Sequence, residues 1–127
     1  MRPKFLILTL ALFCIGAGQF PISARAGARE ELTAEISALA VDGKYDDALV
    51  KAGTLIKLTQ DENGGNSSQH AEALSWAAYL HVVQGDVQGA STYFERAVEI
   101  YGRVLPADHP DLATSINNLG YYRYRLG

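Results

Sequence analysis

Cysteine is nearly absent from this chain. Cys14 is the only one in 127 residues, and it lies inside an apolar stretch near the N-terminus. Cleavage of that stretch as a leader leaves a chain with no thiol, so disulfides and thiolate metal sites are excluded and apolar packing must carry stability. Phe13 stands where a lipoprotein leader needs a small residue, which argues against lipid attachment at Cys14. Acidic residues are missing before Glu30, while Arg2 and Lys4 give a positive start. Phe5 to Ile15 then run apolar apart from Thr9, and Ala24-Arg25-Ala26 forms an exit of small residues. Positive start, short apolar run and A-x-A exit are the three parts of a secretory leader, assigned here to residues 1–26. The run falls short of the roughly 20 residues that span a bilayer. Removing it takes away Arg2, Lys4 and Arg25 and leaves 8 basic against 14 acidic residues, a net of −6. With no basic run, nucleic acid and anionic lipid are poor partners for the remaining chain. Periplasmic or secreted protein is the expected location.

What is present is a repeat. Gly43, Gly85 and Gly127 are spaced 42 residues apart, and Ala48/Ala90, Ala71/Ala113 and Tyr79/Tyr121 match at the same offset. Within each period the apolar spacing is helical. Ala90, Phe94, Ala97, Val98, Tyr101, Val104 and Leu105 form one continuous stripe over 86–105. Weaker stripes predict helices over 45–59, 69–84 and 111–126, and a fifth, the weakest, over about 28–41. Gly85 and Gly127 suit a left-handed helix end, and Pro110 followed by Asp111 suits a helix start. Tight turns at Gly43 and Gly85 alternate with longer loops at 60–68 and 106–109. The chain therefore reads as all-α: about two and a half antiparallel helix pairs in one domain, 27–127.

No catalytic, cofactor or metal constellation emerges. His70, His81 and His109 lack the spacing that sets two imidazoles on one helix face, and His109 is assigned to shaping a helix start. Gly64-Gly65 lacks the lysine of a phosphate loop. Ser67 and Ser68 read as helix-start residues. Glu30-Glu31 and Asp46-Asp47 read as acids at helix starts, favoured there by the dipole. Trp76 is assigned to core packing. One surface group carries a functional expectation. Asn117, Tyr121, Tyr124 and Arg125 share a face of the last helix, matched one repeat earlier by Ser75, Tyr79, Val82 and Val83. Asn can bond a peptide backbone, Tyr offers rigid contact area and Arg pairs a carboxylate.

Helix, glycine turn, helix and loop, with Leu74, Ala77, Ala78, Gly85, Ala90, Phe94 and Ala97 in place, resembles the tetratricopeptide repeat. Ile116, Leu119, Gly120 and Gly127 continue the match. The run from Leu105 through Asp108-His109-Pro110 to Ala113, followed by Ile116-Asn117-Asn118-Leu119-Gly120, is similar to the kinesin light chain-like subfamily of these repeats. His81 and Arg123 depart from it where a larger apolar or tyrosine residue is usual, and Asn66-Ser67-Ser68-Gln69 replaces the Asp-His-Pro-Asp element in the first loop. The resemblance implies a short helical solenoid in which Ala78, Gly120, Ala90 and Ala97 sit at close helix contacts and Phe94 fills the gap between pairs. It also implies a concave groove for a protein or peptide lined by Ser75, Tyr79, Val82, Asn117, Tyr121, Tyr124 and Arg125, with no enzymatic role and no cofactor. Two alternatives stand beside this reading: the repeats lead a longer effector or peptidase-type enzyme, or they assemble the protein with itself through its apolar last helix.

Overall fold

The computed structural model describes residues 22–127. Most of the expected leader, with Cys14, lies outside the described residues; residues 22–26 open the first helix. Five α-helices follow one another: α1 Ile22–Val41, α2 Tyr45–Gln60, α3 Ser68–Val83, α4 Val87–Val104 and α5 Pro110–Leu126, with one 3-10 turn at Asn63–Gly65. Each packs on its neighbour in the chain, giving an antiparallel stack. None of the described helices is long and apolar enough to cross a membrane.

The two tight turns share one geometry. Gly43 and Gly85 have φ of 74° and 84°, the left-handed region that glycine enters at least cost. After Gly85, Asp86 N donates to His81 O at 2.9 Å and Gly85 N to Val82 O at 2.9 Å. After Gly43, Lys44 N donates to Leu39 O at 2.9 Å and Gly43 N to Ala40 O at 3.1 Å. Both are the paired 6→1 and 5→2 closures that satisfy the last carbonyls of a helix. The helix starts are equally explicit. Ser67 Oγ accepts from His70 N, Asp86 Oδ1 from Gly89 N, and His109 Nδ1 from Asp111 N with Pro110 at the first helical position. The Gly89 amide holds the Asp86 carboxyl below its ordinary value, with the His81 imidazole adding to the effect. His81, an unusual residue for its place in the repeat, is accommodated by that contact and by stacking on Tyr93 at 5.3 Å. Arg123 likewise pairs with Glu95 at 3.0 Å.

Two expectations need correction. α1 starts ahead of residue 28, so Glu30 and Glu31 lie in mid-helix and not at a helix start. Ala24, Ala26 and Ala28 are strong helix formers, and Gly27 alone, at about 1 kcal/mol, does not stop the helix. Gly120, expected at a close helix contact, is exposed, and a Cβ there would meet nothing within 4 Å. The other small residues behave as expected: Ala78, Ala90 and Ala97 are fully buried.

The core runs as three linked clusters. Ile36, Ala48, Ala52, Leu55, Ala73, Ala77 and Leu80 join α1, α2 and α3. Ala71, Leu74, Ala97, Ile100, Tyr101 and Leu112 join α3, α4 and α5. Ala78, Ala90, Phe94 and Leu119 form the third, and Tyr93 packs against all three. Alanine dominates because it lets helix axes approach while Phe94 and Leu74 fill the interstices.

His70 is the one titratable side chain within this interior that departs from its ordinary behaviour toward acid. It is 1% exposed, and its Nδ1 lies 2.8 Å from Thr59 Oγ1. Thr59 Oγ1 is also 2.9 Å and 3.1 Å from the Leu55 and Ile56 carbonyls, which can accept its proton and leave the hydroxyl oxygen free to accept from His70 Nδ1. Nε2 is left buried without a partner. Burial first, and the nearby Arg96 charge second, lower the His70 pKa from 6.5. The unfolded chain then binds the proton more tightly, so stability is full above pH 6.5 and falls as pH drops through 6.5 toward the depressed folded value. Urea unfolding on either side of that pH, with His70 ring resonances followed by NMR, checks this. Constant stability with a ring titrating at or above 6.5 would contradict it.

Candidate functional site

Helices α1 and α3 are not consecutive, and α2 packs against both. This leaves a trough between them. From α1 it is lined by Ser37, Ala40 and Val41, an i, i+3, i+4 set; from α3 by Glu72, Ser75, Trp76 and Tyr79, an i, i+3, i+4, i+7 set. The cavity there measures about 400 Å³. A second hollow of about 520 Å³ continues along the same two helices, adding Arg29, Glu30, Thr33 and Gln69 and sharing Ser37, Glu72 and Trp76. The result is one elongated groove with Trp76 at its waist.

The groove is apolar and aromatic toward Tyr79, with Glu72 beside Trp76 at the waist and Glu30 in the second hollow. Trp76 and Tyr79 meet edge to face, with centroids 6.1 Å apart. Tyr79 is 46% exposed. Trp76 is half-buried: one side packs on the α1–α2–α3 cluster and the other faces the cavity, so its assignment to the core alone was too narrow. Ser75 Oγ donates to the Ala71 carbonyl at 2.9 Å. Arg29 is matched by Glu62 at 2.6 Å. Glu30 and Glu72 are exposed and form no ion pair among the described residues. The field of Glu72 extends across α3. The Tyr101 hydroxyl, pushed up to about 12, owes this first to burial, then to Asp111 and Glu72.

The residues expected from sequence divide into three places. Ser75 and Tyr79 line the groove. Val82 is half-buried against the Phe94 cluster. Asn117, Tyr121, Tyr124 and Arg125 are exposed on α5 outside the two hollows, with Arg125 Nη1 donating to Tyr121 Oη at 3.2 Å and lying over its ring. Asn117 and Tyr121 occupy, one period on, the register of Ser75 and Tyr79. Sequence reasoning missed Ser37, Ala40, Val41 and Glu72. The i, i+3, i+4 recurrence of small residues in α1 opposite an aromatic pair was the available clue.

The three histidines stand apart. His70 is in the core with Thr59, His81 is with Asp86, and His109 caps α5. No cluster of His, Cys, Asp and Glu that could hold a metal occurs among the described residues.

Residues 69–127 match the tetratricopeptide repeat family. No curated protein matches the chain. With that match, the antiparallel stack is an all-α, tetratricopeptide-type helical repeat.

Proposed function

Starting from a tetratricopeptide-type helical repeat, whose family generally mediates protein–protein interaction, we propose that this protein is an exported, non-catalytic module that holds a protein or peptide in the α1–α3 groove. The observation that carries the reading is the groove itself: an open, aromatic-lined channel with polar groups at its edges, of the size that ligand sites adopt. Asn117 and Tyr121, exposed in the same register one period on, would extend this surface onto α5. The Asp108-His109-Pro110 element ahead of Asn117-Asn118 supports a repeat of the kinesin light chain-like kind. Export, to the periplasm or the medium, rests on the leader pattern of residues 1–26, with 27–127 as the mature domain. Removal of residues 22–26 shortens α1 by rather more than its first turn and takes Ala26 from the end of the second hollow, while Arg29 to Val41 remain in the chain to line the groove.

A photo-crosslinking residue placed at Tyr79 in the exporting cell tests this. Adducts with another polypeptide are expected at Tyr79 and not at Val50, which is 70% exposed on α2. The recovered chain should begin near Gly27 by mass. Equal labelling at both positions, or an intact Met1, would contradict the respective halves of the proposal.

A second reading concerns α5. In α3 the positions Leu74 and Ala78 are buried, at 1% and 0% exposure, yet one period on Ile116 is 52% exposed and Gly120 is open. Tyr124 and Leu126 add to this apolar surface. We propose that α5 pairs antiparallel with α5 of a second copy. Centred on Asn118, that pairing sets Ile116 against Gly120, a large side chain against a gap, so the two surfaces agree in shape. Analytical ultracentrifugation over a range of concentrations should show dimers. A monomer at high concentration, with α5 amides protected from exchange, would contradict the pairing.

A further inference from the structure

The charge of the groove points to the chemistry of what it holds, on the premise that the groove is the binding site. Among the described residues that line it, the one cation, Arg29, is neutralised by Glu62 at 2.6 Å. Among the described residues around the aromatic cavity Glu72 is the sole charged one, and Glu30 is the other acid of the adjoining hollow. Both are exposed and lack an ionic partner within the described chain. Trp76, which borders both hollows with Glu72, and Tyr79 beyond it offer ring faces that attract cations as well as apolar side chains. A carboxylate-bearing ligand would set its charge against both glutamates without compensation, whereas an ammonium or guanidinium would meet them as salt-screened pairs at the groove's exposed edge.

We propose that the groove selects a cationic peptide segment, with an apolar or aromatic side chain seated between Ala40, Val41, Trp76 and Tyr79 and a Lys or Arg reaching Glu72 or Glu30.

Trp76 is the only tryptophan in the chain, so its fluorescence reports on the groove directly. The full exported chain is titrated with equal-length synthetic peptides in which leucines alternate with lysine, serine or glutamate. The leucine–lysine peptide is expected to shift Trp76 emission and saturate, and to bind about tenfold more tightly than the leucine–glutamate peptide, with the advantage falling as salt is raised. The double variant Glu30→Gln, Glu72→Gln should erase the advantage. Neutralising Glu99, an exposed acid on α4, should leave it intact. Three results would overturn the charge selection: equal binding of the lysine and glutamate peptides, an equal loss on Glu99→Gln, or an advantage kept by the double variant. Equal binding of all three peptides would still leave the groove as a binding site. No response of Trp76 to any of them would sink the groove reading as well.

Discussion

Phe94→Ala is expected to lower the free energy of unfolding by about 3–5 kcal/mol. Phe94 is 4% exposed and contacts Ala78, Ala90 and Leu119, and its ring stacks on Tyr122 at 5.3 Å with planes 2° apart. It therefore links α4 to both α3 and α5. The alanines around it have no rotamers with which to fill the void, so the cavity penalty should be near its upper range. A loss of that size is a large share of the roughly 5–15 kcal/mol that holds a domain together. Phe94→Leu should recover most of it by keeping volume. Chemical denaturation of both variants checks this. A shift below about 1 kcal/mol for the alanine variant would mean the site is poorly packed.

The second large effect is on binding. Tyr79→Ala should weaken partner affinity by at least tenfold, because large aromatic side chains at the centre of a contact dominate its energy. Tyr79 is 46% exposed, so the same change should leave stability within about 0.5–1 kcal/mol of the parent. Trp76→Ala should cost as much affinity but some stability too, since Trp76 also packs on the α1–α2–α3 cluster. Calorimetric titration paired with denaturation separates the two. Equal losses of affinity and fold at Tyr79 would mark it as structural.

Local chemistry made much of this legible from sequence. Positive-φ glycines at a 42-residue period, Pro110 at a helix start, and Ser67 and His109 as caps are decided by neighbouring residues, and each stands where the sequence put it. Phe94 was readable because it lies on the densest apolar stripe. What failed depended on partners the local pattern does not reveal. Gly120 fits the repeat as well as Ala78 does, yet only Ala78 has a helix across from it. The weak periodicity of α1 hid both its early start and its role. With α1 underestimated, the groove wall of Ser37, Ala40 and Val41 was invisible, and Trp76 could be assigned only to the interior. A groove between helices that are not consecutive is a tertiary feature, and no spacing along one helix encodes its width.

The central claim is that the α1–α3 groove is where this protein meets its partner. Backbone amide shifts of the isotope-labelled mature chain, recorded as the polypeptide crosslinked at Tyr79 is added, test it most directly. Shifts should concentrate at Ser37, Ala40, Val41, Glu72, Ser75, Trp76 and Tyr79, the residues that line the cavity. Shifts confined to the exposed faces of α2 and α4, with those seven unmoved, would contradict it.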